Sequence, residues 1–455
     1  MTPRDYGFCD YGTVPRGTAP GVWQDAPALT PLSVNPYGTP STTIASGYLL
    51  LSEGPSGPSQ VSQDDQRAIL QRINEDLKFE VGATFIHMPS WTTGSSGAHF
   101  VDYWLTGTGL PGDPGQTGDQ GWEGGYPMVE TTSVAMTDQS QRWNLTHEFN
   151  HVLQNAYGTI DGNATSWIHE SHNDYLIIRL VEWREGATPG QAAQFSLPSN
   201  VGYLDSLVYE QPYVPIESCG IDSSGEATGP GDYFSDSTGY RYNDLFPLFV
   251  AQRVGPYVYA AIWEQTRPGE QNLQVLSRLM DDARVKCMVQ EYGARLALGD
   301  FLELSDSIQE RATAGMYTAT TTKNGWLVPA DPAKLPRYTG RNNIPITVSQ
   351  GATQVSVEFS PDAAGSQGTP AELEAQLVYR ATDGSSVFGA PVSTGTASVA
   401  LNKPAKNGVV ILVITNVTMH GYQHAASFGW DPTERFGYQV KVTGGVPAPT
   451  SRTYF

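Results

Sequence analysis

The hydrophobic pattern of the chain changes character twice. In "SQDDQRAILQRINEDLKFEV" apolar Ile69, Leu70, Ile73 and Leu77 recur at helical spacing, and Ser62 stands where an N-cap belongs. Before it, "ASGYLLL" is strand-like; after it, "ATFIHMP", "HFVDYWLTG" and "MVETTSVAM" read as further strands. "YNDLFPLFVAQRVGPYVYAAIWEQT" and "NLQVLSRLMDDARVKCMVQEYGARLALGDFL" return to helical periodicity. From about residue 340 the texture shifts to short β-branched runs between Gly, Pro, Asn and Ser, such as "QVSVEFS" and "GVVILVITNV". That spacing predicts an all-β sandwich. The expected class is therefore α+β: a mixed catalytic domain with a small sheet over 1–338, opening with an extended segment 1–45, and a β-sandwich over 339–455. Residues 111–125 and 186–241 read as loops.

One stretch, "QRWNLTHEFNHVLQNAYGTIDGNATSWIHESHNDYLIIR", holds four of the chain's eight histidines. On a helix, His147 and His151 lie one turn apart on one face and can turn imidazole nitrogens toward one cation. Glu148 lies beside the first of them, placed to take a proton from a metal-bound water. Leu145, Phe149, Val152, Leu153 and Ala156 form the apolar back that would anchor the helix. A catalytic zinc site needs three protein ligands and one open position. The continuation with Gly and a third His is absent, because Gln154 and Tyr157 occupy those places. Two carboxylates remain: Asp161, ten residues after His151, and Glu170, with eighteen residues between. Glu170 is favoured, because Leu176, Ile177, Leu180 and Val181 give its segment a helical apolar back. Asp174, one turn on from Glu170, is placed to orient a ligand histidine. His169 and His172 flank Glu170 as candidate substrate contacts, and His172 is also a rival ligand.

These residues resemble the gluzincin zinc metallopeptidases: HEFNH, eighteen residues, then "WIHESHNDY". More narrowly, "VDYWLTGTGLPG", "GWEGGYP" and "THEFNHVLQ" look like the Svx/AvrXca-type secreted virulence proteins of bacterial plant pathogens. The gluzincin resemblance implies a zincin-like fold, one catalytic Zn²⁺ on His147, His151 and Glu170, and Glu148 as general base. It also implies a tyrosine that hydrogen-bonds the oxyanion. Tyr242 is the best match, with Tyr240, a candidate substrate contact, and Tyr233 behind it. A substrate backbone would pair with a strand edge, expected along "MVETTSVAM". His169 and His172 depart from the family, which carries Asn or small residues there.

Composition narrows the rest. A net charge of −20 with only 26 Lys and Arg excludes a nucleic-acid partner. No run of eighteen apolar residues exists to span a membrane. Lysine is scarce and Gly, Ser, Thr and Tyr abound, a pattern of exported proteins. The first residues, "MTPRDYGFCDYG", lack a leader's basic and apolar regions, so a mature secreted monomer is expected. Its substrate would be a peptide or protein, extracellular glycoproteins included. Three cysteines allow one disulfide, with Cys219–Cys287 the first guess. Acidic loops 111–125 and 221–238 offer carboxylates to Ca²⁺, but a solvated loop is the plainer reading. The rival function is a non-catalytic extracellular carbohydrate- or surface-binding protein with a structural zinc site.

Overall fold

The computed structural model describes residues 9–12, 42–56, 61–83, 101–110, 118–123, 126–138, 142–156, 162–192, 211–216, 245–267, 270, 272–301, 304–362, 370–418 and 434–455. It has an α+β architecture.

The first sheet has five strands: β1 Thr42–Ser46, β2 Leu49–Glu53, β3 Val101–Leu105, β4 Gly118–Glu123 and β5 Tyr126–Thr131. Their order is β1-β2-β3-β5-β4, with β2, β3 and β5 parallel and both outer strands antiparallel. "ASGYLLL" spans the β1–β2 hairpin. Its Gly47 has φ +57°, and a Cβ there would lie 2.3 Å from Asn74 Oδ1. That closeness has a use: Asn74 accepts from Tyr48 N (2.9 Å) and donates to Ser46 O (2.7 Å), bolting the turn to helix α1, Gln63–Ala83.

"MVETTSVAM" is not one strand. It leaves β5 after Thr131, and Thr132 caps a short helix, α2 Ser133–Thr137. Moreover β5 is hydrogen-bonded on both sides, to β3 and β4, so it presents no edge to a substrate. The outer strand is β4, formed within the Gly- and Asp-rich stretch read as a loop.

Helices α3 Arg142–Ala156 and α4 Gly162–Glu185 follow, then a turn of helix, α5 Pro189–Ala192. Leu49, Leu51, Tyr103, Leu105 and Val129 of the sheet share one buried cluster with Leu70, Ile73, Leu77, Phe149, Val152, Leu176 and Leu180 of α1, α3 and α4. On the other face Trp104, Leu110 and Met128 form a small cluster of their own.

The long helical stretches each break in two: α6 Leu245–Arg253 and α7 Tyr257–Gln265, then α8 Asn272–Met280 and α9 Asp282–Leu298. Gly255 at φ +128° turns the first break, where a Cβ would sit 2.5 Å from the Tyr257 ring. At the second, Asp281 caps α9 by accepting from Arg284 N at 2.9 Å. A short helix, α10 Ser305–Arg311, leads to the β-rich part.

There, two antiparallel five-stranded sheets contribute to the same buried core. The strands are β6 Thr320–Lys323, β7 Trp326–Pro329, β8 Arg341–Val348, β9 Gln354–Pro361, β10 Leu373–Arg380, β11 Ser386–Phe388, β12 Gly395–Ala400, β13 Val409–Asn416, β14 Tyr438–Thr443 and β15 Gly445–Pro447. One sheet runs β11-β10-β13-β8-β15, the other β12-β9-β14-β7-β6. Strands β6 and β7 thus join from ahead of residue 339. Every residue of β13 is buried, because α9 covers its outer face. A Cβ on Gly293 would lie 3.1 Å from Arg341 Cδ and 3.2 Å from Thr415 Oγ1. Gln290 Nε2 donates to Gln376 Oε1 at 2.9 Å in a buried contact, and Arg380 donates to the Leu298 carbonyl at 2.9 Å in a half-buried one, so the seam is polar.

The disulfide joins Cys9 to Cys287 of α9, correcting the Cys219–Cys287 pairing. Sequence spacing carries no information on which cysteines the fold brings together. Beside the bridge, Tyr11 is buried and its hydroxyl donates to Glu291 at 2.6 Å. Glu291 also meets Arg253 and Arg295 at 3.1 and 2.8 Å. No described helix is long and apolar enough to cross a membrane.

Candidate metal centre

Helix α3 is held from behind before it presents anything in front. Leu145, Phe149, Val152 and Leu153 are at most 1% exposed. Polar contacts then fix its rotation. Tyr103 of β3 donates to the Leu145 carbonyl (2.7 Å), Thr146 Oγ1 to Asp76 Oδ2 (3.0 Å), and Asn150 Nδ2 to Glu80 Oε1 (3.1 Å). Asp76 also pairs with Arg184 of α4, so one α1 carboxylate ties three helices together. Burial raises the Asp76 carboxyl against the pull of Arg184 and Arg72. Burial drives Glu80 well above the carboxylate range, with Asp76 adding to it and Asn150 opposing, which favours the neutral acid.

In front, the His147 and His151 rings stand 4.9 Å apart and nearly perpendicular, at 83°. Both are buried, and Glu148 between them is half-buried. His147 Nδ1 lies 3.3 Å from Asp174 Oδ1. Asp174 is fully buried, and neither of its oxygens accepts a hydrogen bond from the described residues. A buried carboxylate in that state calls for a positive neighbour, which His147 becomes when protonated or bound to a cation. His151 Nδ1 lies 3.0 Å from Gln154 Oε1. Each histidine therefore turns Nδ1 to an oxygen of the protein, so ligation through Nε2 is the mode that would keep both contacts. That donor set suits a divalent transition metal.

Helix α4 supplies the flanking histidines. The His169 ring is 6.2 Å from the His151 ring and meets Trp263 of α7 edge-on at 4.9 Å. His172 is fully buried, stacks on Tyr259 at 4.7 Å, and its Nδ1 accepts from Trp263 Nε1 at 3.0 Å. Burial, then His169, lowers its pKa to about 3, so the ring is neutral. His172 thus sits in the packing between α4 and α7. Glu170 lies on α4 directly after His169, but its side chain is outside the described residues, as are Asp161, Tyr233, Tyr240 and Tyr242. So are residues 111–117 and 124–125 of the first acidic loop, the side chains of 118–123, and all of residues 221–238. Among the described residues no three His, Cys, Asp or Glu side chains gather as a metal-holding group.

A family of unknown function, DUF6055, matches residues 231–448. The match runs from ahead of α6 to the end of β15, taking helices and sandwich as one stretch and stopping short of HEFNH. None of the curated proteins matches the chain.

Sequence reading finds His147, Glu148, His151 and Asp174, and the fold brings His147 and His151 side by side with Asp174 behind the first. It misses Gln154, Asn173, Trp263, Asp76 and Glu80. In the sequence Gln154 counts only as the residue that breaks another class's motif. Its place one turn beyond His151 is the available signal. The α1 acids carry one too: Asp76 and Glu80 stand seven residues after Ile69 and Ile73, on the apolar face of the helix, where both are fully buried.

Proposed function

We propose that the chain is a secreted zinc-dependent peptidase of zincin-like fold. The observation that carries the reading is the His147–His151 pair, perpendicular at 4.9 Å, with each Nδ1 facing a protein oxygen. Zinc would be held by His147, His151 and Glu170, and when bound it supplies Lewis acidity to the water and the scissile carbonyl. Glu148 takes the proton of the attacking water and returns it to the leaving amine. Tyr242 donates a hydrogen bond to the developing oxyanion. Asp174 keeps His147 oriented, and the α1 carboxyls keep the helix from rotating. The Cys9–Cys287 disulfide favours an oxidising, extracytoplasmic setting.

Metal analysis of the purified chain tests the ligand set. Wild type should hold one zinc, and His147→Ala and Glu170→Ala should each lose it while Asp161→Ala keeps it. Loss in Asp161→Ala alone would overturn the assignment of Glu170, and a metal-free wild type that cannot be loaded would overturn the reading.

A further inference from the structure

The side chains behind His151 form a chain of amides with a fixed direction. Asn173 of α4 donates from Nδ2 to the backbone carbonyl of His147 at 3.1 Å. A carbonyl only accepts, so this contact fixes which way the Asn173 amide faces. Its Oδ1 is then left to accept from Gln154 Nε2, at 2.6 Å. The same Gln154 nitrogen donates to the His169 carbonyl at 3.1 Å and lies 3.4 Å from His172 Nδ1. That ring nitrogen already accepts from the Trp263 indole N–H, a donor only, so it too is an acceptor. Three acceptors surround Gln154 Nε2. Turning the amide over would set its oxygen against all three.

What remains for His151 is Gln154 Oε1, at 3.0 Å from Nδ1 and only 4% exposed as a residue. We infer that Gln154 is a positioning residue that holds His151 in its Nδ1–H tautomer, with the Nε2 lone pair kept for a divalent metal. The instruction is relayed from the His147 backbone through Asn173 and Gln154, so the first histidine's main chain sets the second histidine's proton. His147 Nδ1 faces a different residue, Asp174, at 3.3 Å. A buried polar network of this kind specifies one state because each member leaves its neighbour a single choice. The consequence for metal rests on the zinc reading above; the tautomer itself does not.

The test is a long-range ¹H–¹⁵N correlation spectrum of the metal-free full chain, ¹⁵N-labelled at histidine, with assignment by His151→Gln. Wild type should show His151 protonated at Nδ1, and the near-isosteric Gln154→Met should move that proton to Nε2. A wild-type His151 protonated at Nε2 overturns the inference, and it does so even should Gln154→Met not fold. So does a folded Gln154→Met that keeps the Nδ1–H form. Zinc affinity, read by chelator competition, should fall about 10- to 100-fold in Gln154→Met. A wild type that binds no zinc at any concentration while showing the Nδ1–H form would sink the peptidase reading and leave the tautomer assignment standing.

Discussion

Asn150 of the HEFNH helix donates to Glu80 of α1 at 3.1 Å, inside a core where Glu80 is fully buried. The contact joins the back of the candidate site to the first helix of the domain. Because burial favours the neutral acid, Glu80→Gln keeps shape and acceptor alike and should leave stability intact near neutral pH. Asn150→Leu instead strips Glu80 of that donor and should cost about 1–3 kcal/mol. Urea unfolding of the two variants checks the contrast.

Asp102 offers a test of pH dependence remote from the histidines. It is fully buried on β3, its two oxygens share the single Ser52 hydroxyl at 2.9 and 3.0 Å, and burial raises its pKa to about 7 against that opposing hydrogen bond. A carboxyl whose folded pKa is raised gives stability that is complete below its unfolded value near 3.8 and lost as pH rises through about 7. Asp102→Asn cannot ionise. It should therefore gain on wild type by up to about 4 kcal/mol between pH 4 and 7. Parallel stability curves for the two proteins across that window would contradict the assignment.

The disulfide closes a loop of 278 residues in sequence separation and pins the segment carrying Tyr11 against α9. Cys9→Ser should lower stability by about 2–5 kcal/mol, seen as a drop in Tm that wild type reproduces in reductant. An unchanged Tm in both would show that the tether constrains little.

Helix α9 is where helices and sandwich meet. Gly293→Leu would drive a side chain into Arg341 and Thr415 and should destabilise by about 1–3 kcal/mol. Since Gln290, Gln376 and Arg380 bridge the same seam, helical and strand signals should unfold together in one transition. Two separated transitions in wild type would contradict that coupling.

Much of this is legible in the sequence where one element decides it. The i, i+4 histidines, the apolar back of α3 and the amphipathic face of α1 follow from helical periodicity alone. Asp174 is legible for the same reason, being one turn from Glu170. Relations between elements are not. Gln154 meets Asn173 only because α3 and α4 cross there, and Cys9 meets Cys287 only because the first residues return to α9. The strand "MVETTSVAM" misleads because β-branched Val129, Thr131, Thr132 and Val134 carry strand propensity past the point where the Thr132 side chain caps a helix. The breaks at Gly255 and Asp281 lie inside continuing helical periodicity, which outweighs the local signals of Gly255-Pro256 and of the capping Asp281.

On the proposed reading, Glu148 moves a proton for hydrolysis at a zinc held by its neighbours. The direct measurement is cleavage of unfolded casein by wild type and Glu148→Gln at equal zinc content. Wild type should cleave, and Glu148→Gln should keep its metal and lose activity by about 10²- to 10⁴-fold. Equal cleavage by the two proteins would contradict that role.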